Sequence, residues 1–165
     1  MRRRIEGTAG IFRRLRGQRM AGQWKPVRMY LLHEEEGQRF QRSDMPWLGS
    51  ELLVLTRRAK DVLGDLLAPD CEFLPLECDE EVLWLVNPVL VAGAFDEQRS
   101  EFKRFDSSGR IMKVSRYAFH AEVVDAHRCF RIPEQAPTFV TDDVVAAARA
   151  ASLTGVPFSS VWHSS

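Results

Sequence analysis

The chain has 165 residues, 45% of them hydrophobic, with no low-complexity tract or internal repeat, which suits one compact domain with its own core. Its longest apolar run, 82–95, is interrupted by Asn87 and Pro88 and is too short to cross a bilayer. Its three cysteines, Cys71, Cys78 and Cys129, are too few and too odd in number for a disulfide-built secreted domain and suit a reducing cytoplasm. The net charge of zero conceals a split: residues 1–28 hold eight arginines and one lysine against one glutamate (+8), and residues 29–165 hold 14 basic and 22 acidic residues (−8).

Residues 1–22 are basic, glycine-containing and poor in apolar side chains. They read as a flexible arm, with a short helix at most over 11–19, and no signal-peptide apolar core follows the arginines. The domain proper then spans 23–165, with order beginning near Trp24. Residues 27–32, VRMYLL, are β-rich and end in the charged run HEEEGQR. Residues 43–50 form a turn-rich stretch punctuated by Pro46 and Gly49. Thr56 is an N-cap for a helix over 56–67. There Ala59, Val62, Leu63, Leu66 and Leu67 recur at helical spacing, and Pro69 lies just past the end.

Residues 71–78, CEFLPLEC, read as a strand that Pro75 demotes to an edge or bulged position. Residues 82–86 read as a buried strand, with a bend at Asn87–Pro88. The stretch 103–120, KRFDSSGRIMKVSRYAFH, interleaves bases with aromatics, as a nucleic-acid surface would. DSSG is a turn, however, and in the strand after it Arg110 and Arg116 fall on one face and Lys113 on the other. The bases form no stripe, and the pattern predicts a hairpin whose second strand sits inside a sheet. Residues 127–132 form a further strand and 133–137 a loop. Thr141 caps a second helix over 141–152, with Asp142 and Asp143 in its first turn and Gly155 at its C-terminal stop; 158–162 is a short strand or extended tail. The elements predict a single α+β domain with a mostly antiparallel sheet and two principal helices.

Nothing in the sequence has the spacing of a catalytic, cofactor-binding or metal site. Cys71, Cys78, His127 and Cys129 lack zinc-finger spacing, and a Cys129–His127 nucleophile pair has no accompanying oxyanion turn. No nucleophile elbow, phosphate loop or dinucleotide fingerprint occurs. The concentrated charges are acidic: Glu34, Glu35 and Glu36; Asp79, Glu80 and Glu81; Asp96 and Glu97. Together with the Asp44–Trp47 turn they are the candidate partner-binding residues, because an acidic field on a small body steers a basic partner. Trp47 and Trp162 are aromatics that fit either such a surface or the core.

The blocks SDMPWLGSELLVLTRRAKDVL, CEFLPLE, FDEQRSEFKRF, GRIMKVSRYAFH and FRIPEQAPTFVTDDVVAAARAASLTGVPFSSVW carry a family likeness. From about Met29 to Trp162 the chain resembles the myxobacterial-type immunity protein family of bacterial polymorphic toxin systems. The resemblance implies a cytoplasmic protein without enzyme activity or cofactor. Such a protein binds and neutralises a cognate toxin, often a nuclease, by stoichiometric occlusion, without membrane or nucleic-acid partners. Residues 1–22 have no counterpart in it. The alternative is a nucleic-acid-associated module using the basic arm, whose binding would weaken steeply with salt; a Cys-dependent hydrolase ranks last.

Overall fold

The computed structural model describes residues 3–5, 15, 18–46, 48 and 52–163. Trp47, the predicted turn at Gly49 and most of the 11–19 segment lie outside these residues.

The main sheet is built on β6 (Cys71–Glu77) and β7 (Leu83–Leu90), paired antiparallel with Leu74 opposite Leu85. Outside β6 lies β2 (Val27–Leu31), parallel to it, and then β1 (Arg3–Ile5), antiparallel to β2. The other edge of β7 is shared end to end. β5 (Val54–Thr56) pairs antiparallel with Leu83–Leu85, and β10 (Cys129–Ile132) pairs parallel with Val89 and Leu90. β11 (Gln135–Val140) then closes the sheet against β10. Two small hairpins stand apart, β3 (Glu34–Glu35) with β4 (Gln38–Arg39), and β8 (Glu101–Arg104) with β9 (Ile111–Arg116). Most pairings are antiparallel, and the molecule is a single α+β domain, as the element pattern predicts.

Alternation along the strands assigns the two faces of the sheet. Leu74, Leu76, Leu83, Leu85 and Val54 point to one face, where Leu15, Met20 and Trp24 cover them. Phe73, Val86 and Leu55 point to the other, beneath α1 (Arg57–Leu67) and α3 (Asp142–Ala150). α1 is the helix the periodicity predicts. Ala59, Leu63 and Leu67 are fully buried, Val62 and Leu66 flank them, and the Thr56 hydroxyl accepts from the Ala59 N–H. Burying each of these leucines stabilises the domain by roughly 1.5–3 kcal/mol before cavity effects. A third cluster, rich in phenylalanine, lies toward β10 and β11, with the one-turn α2 (Ala121–Val124) at its side. Trp162 packs edge-on against Phe119 there, 5.5 Å between ring centroids, so it is half-buried against the core. The segment 156–163 and the β11 side of the sheet flank a groove of about 850 Å³.

Several local expectations are corrected. Pro75 sits in an interior strand. Its carbonyl accepts from Trp24 Nε1 at 2.7 Å on the β2 side, so its nitrogen also faces that side. Along β6, among the described residues, β2 pairs only with Leu76 and Glu77, so no ladder bond is lost at Pro75. Asn87–Pro88 makes no bend, because β7 runs through both, paired with Glu72 and Cys71. Residues 135–137 belong to β11 rather than to a loop. The second strand of the 103–120 stretch, β9, is not inside a sheet; with β8 it forms a mostly exposed two-stranded hairpin. α3 does not end on Gly155. Ser152 takes the left-handed conformation (φ 51°), its N–H bonds to Arg149 O, and Leu153 N–H bonds to Ala148 O, which is a Schellman closure.

The described part of residues 1–22 lies on the sheet. Leu15 is 2% exposed, and its carbonyl accepts from Arg131 Nη1 at 2.9 Å. The Met20 N–H donates to Glu72 at 2.6 Å, and the same carboxylate takes the Ala21 N–H and Asn87 Nδ2. Asn87 Nδ2 also reaches the Gln18 carbonyl at 3.0 Å. Burial acts to raise the Glu72 pKa, but the bonds from Met20, Ala21 and Asn87 outweigh it and hold the carboxyl below its ordinary value.

Candidate partner interface

β2 and β6 are parallel, so their C-terminal ends emerge at the same end of the sheet. The segment after β2 carries Glu34, Glu35 and Glu36; the segment after β6 carries Asp79, Glu80 and Glu81. The topology therefore brings together two acidic runs more than forty positions apart in the chain. Glu36 and Gly37, with φ of 51° and 79°, form the two-residue turn of the β3–β4 hairpin; positive φ at both is what such a tight turn needs.

Each acid of the second run meets an arginine or histidine from residues 28–42. Asp79 accepts from Arg28 at 2.8 Å, Glu80 lies 2.6 Å from His33 Nε2, and Glu81 lies 3.2 Å from Arg42. The pairing with Asp79 raises the Arg28 pKa further. Glu34 lies 3.7 Å from Arg39. Over residues 27–42 and 77–81, seven carboxylates oppose three arginines, which with His33 neutral leaves −4. These ion pairs fix the loop without cancelling its field.

The other candidates lie elsewhere. Asp96 is 7% exposed and caps a turn: its carboxylate accepts from the N–H groups of Gln98 and Arg99 at 2.9 and 3.1 Å, with Arg99 and His120 nearby. Its role is to set the root of the β8–β9 hairpin. Glu97 pairs with Arg104 at 2.7 Å in that same neighbourhood. Asp44 is a clasp: it accepts from Arg58 at 2.7 Å and from Thr154 N–H at 2.9 Å and Oγ1 at 3.1 Å, tying the 43–46 turn to α1 and to the chain after α3. Burial acts to raise the Asp44 pKa, and the bonds from Thr154 and Arg58 outweigh it, so the carboxyl sits below its ordinary value. Trp47 lies outside the described residues.

His127 faces Asp70 at 2.7 Å rather than serving Cys129 as a base, and Asp70 also takes the Arg128 N–H at 2.7 Å. The neighbouring Cys71, together with burial, pushes the Cys129 thiol well above its ordinary range; a thiol held that way is a poor nucleophile. Cys71, Cys78 and Cys129 are free thiols. Among the described residues no cluster of three or more His, Cys, Asp and Glu is arranged to hold a metal, and no helix is long and apolar enough to cross a membrane.

One surface that the charge runs do not reveal is the β8–β9 hairpin. Phe105 is 48% exposed and Met112 47%, and Lys103 and Lys113 stand directly opposite one another. The opening bases of the 103–120 stretch contain those residues, but only the register shows which of them meet.

The site is thus a set of charged loops gathered at one end of a sheet whose two faces are both covered. The model of the immunity protein family (Imm11) matches residues 3–162, and the chain belongs to that family. The match takes in most of the N-terminal segment, which the sequence resemblance leaves without a counterpart. No curated protein matches the chain at a significant level.

Proposed function

We propose that this chain is the cytoplasmic immunity partner of a polymorphic-toxin effector in competition between bacteria, and that it neutralises the cognate toxin by stoichiometric binding rather than catalysis. The acidic end of the sheet would meet a basic toxin surface, such as the substrate cleft of a nuclease. The observation that supports this is the parallel β2–β6 pair, which gathers Glu34–Glu36, Glu77 and Asp79–Glu81 into one field of net −4 at the strand ends. Acidic side chains held there can stand in for phosphates, speeding association and blocking the cleft.

The test changes Asp79, Glu80 and Glu81 together to Ser. Asp79 and Glu80 are in exposed ion pairs, which contribute little to stability, whereas the Glu81 side chain is only 14% exposed beside Arg42, so the melting temperature of the triple variant is expected to fall by a few degrees, about 2–6 °C, with the folded state retained. Binding to the toxin domain encoded beside this chain, followed by titration calorimetry at two salt concentrations, is expected to weaken, with the loss shrinking at high salt. Equal affinity for wild type and variant at both salt concentrations would place the contact face elsewhere. Absence of binding and of growth rescue by the wild type would remove the immunity function itself.

A further inference from the structure

The β8–β9 hairpin is built as though for a partner rather than for its own stability. In a two-stranded ribbon, side chains directly opposite one another are about 4.5–5.5 Å apart at Cβ, and like charges there are destabilising. At the open end the chain obeys this rule: Glu101 opposes Arg116, and their charged groups meet at 3.1 Å. Further along it does not, since Lys103 directly opposes Lys113. Among the described residues neither lysine forms an ion pair, nor does Arg110 beyond the turn. The same hairpin exposes Phe105 and Met112 to nearly half their area.

The ribbon is nonetheless held in place. Phe102, Ile111 and Val114 pack its inner face onto the phenylalanine cluster. Arg104 ties the turn, donating to the Gly109 carbonyl at 2.6 Å and to Glu97 at 2.7 Å while lying over the Phe102 ring. Gly109 (φ 65°) supplies the turn conformation. The result is a pre-organised projection with uncompensated cations on its outer face and large apolar side chains beside them. Residues 101–116 carry five bases against two acids, on a body that is otherwise acidic.

We propose that the outer face of this hairpin is a second contact element for the toxin, seating Lys103, Lys113 and Arg110 on an acidic protein surface with an apolar recess for Phe105. It rests on the immunity function above. A protein surface fits better than a nucleic acid: two of the exposed groups are apolar, Asp106 and Glu101 flank the cations, and the three cations form no run along one strand.

The test is Lys103→Glu, alone and beside Phe105→Ala, in the full chain. Lys103→Glu turns a like-charge pair into an opposite-charge pair. A purely structural role predicts an equal or higher melting temperature and unchanged binding. The contact role predicts the same melting behaviour with affinity for the adjacent-encoded toxin domain reduced roughly tenfold or more at low salt, and a comparable loss for Phe105→Ala. If wild type binds the toxin and both variants bind equally well, the hairpin proposal is overturned and the immunity function stands. If wild type does not bind, both fall. The proposal is likewise overturned if Lys103→Glu instead abolishes a low-salt shift of a labelled 20-nucleotide RNA or DNA, or a salt-sensitive self-association in sedimentation, while leaving toxin affinity intact.

Discussion

Replacing Gly155 with alanine tests how the chain after α3 is docked. At this position φ is +124°, a conformation L residues rarely adopt, and a Cβ would come 2.0 Å from the Met45 carbonyl oxygen and 2.7 Å from its carbon. Both are backbone atoms, so no side chain can rotate away. The backbone must shift, and the shift acts on the bonds beside it: Met45 N–H to Thr154 O at 2.8 Å, and Thr154 N–H to Asp44 at 2.9 Å. Backbone strain costs about 1–2 kcal/mol, and weakening those two hydrogen bonds costs about 1 kcal/mol each. The expected loss is roughly 3–4 kcal/mol, or about 6–16 °C in melting temperature for a domain of this size. Gly109→Ala is the comparison: its φ is positive but in the left-handed helical region (65°), with open space around its Cβ, so it carries only the smaller conformational cost. Thermal unfolding followed by circular dichroism compares the two. If Gly155→Ala melts within about 1 °C of Gly109→Ala, the close approach of Gly155 to Met45 does not limit the fold, and the reasoning fails.

Leu63→Ala, at the centre of the buried face of α1, is expected to lower unfolding free energy by about 2–5 kcal/mol in a denaturant titration, whereas Asp61→Ala on the exposed side is expected to change it by less than about 0.5 kcal/mol. In acid, Asp44, Glu72 and Asp143 act together. The Thr141 hydroxyl and then Arg128 hold Asp143 below its ordinary pKa, against burial, as the bonds described above do for Asp44 and Glu72. Groups depressed in the folded state contribute stability that is complete above the unfolded carboxylate range, near pH 4, and lost as pH falls through the lower folded values. The melting temperature is therefore expected to fall below about pH 4, with a shallower acid limb in an Asp44→Asn, Glu72→Gln double variant; identical limbs would count against the clasp at both sites.

Both helices were legible because they are written locally. Thr56 and Thr141 mark their starts, and an apolar face at helical spacing marks α1, without knowledge of any distant residue. The stop of α3 was less legible, because Ser152 carries the left-handed conformation that glycine usually takes, while Gly155 is kept for an approach to Met45 more than a hundred positions away. Pro75 illustrates the same limit in the sheet. Its tolerance depends on which part of an edge β2 covers, a long-range fact that no window around residue 75 contains. Of the candidate site, composition found the acids, and topology sorted them. Apart from Glu81, which is mostly buried beside Arg42, the two runs gathered by β2 and β6 stay surface charges, while Asp96 and Asp44 turn inward to hold backbone amides. The opposition of Lys103 and Lys113 was hidden because it depends on a register with shifts on either side of it.

The shared edge of β7 has a consequence for synthesis. Its first half can pair with β5 as soon as it leaves the ribosome, because Val54–Thr56 has already emerged. Its second half must wait for Cys129–Ile132, about forty residues later. At 5–20 residues per second that is roughly two to eight seconds in which the edge at Val89 and Leu90 has no strand partner. Until β10 arrives, the nascent chain presents an open, apolar strand edge, the kind that recruits foreign strands. If the immunity function proposed above holds, a molecule is past that hazard only once β10 has been made, so a reserve of finished molecules serves better than synthesis on demand.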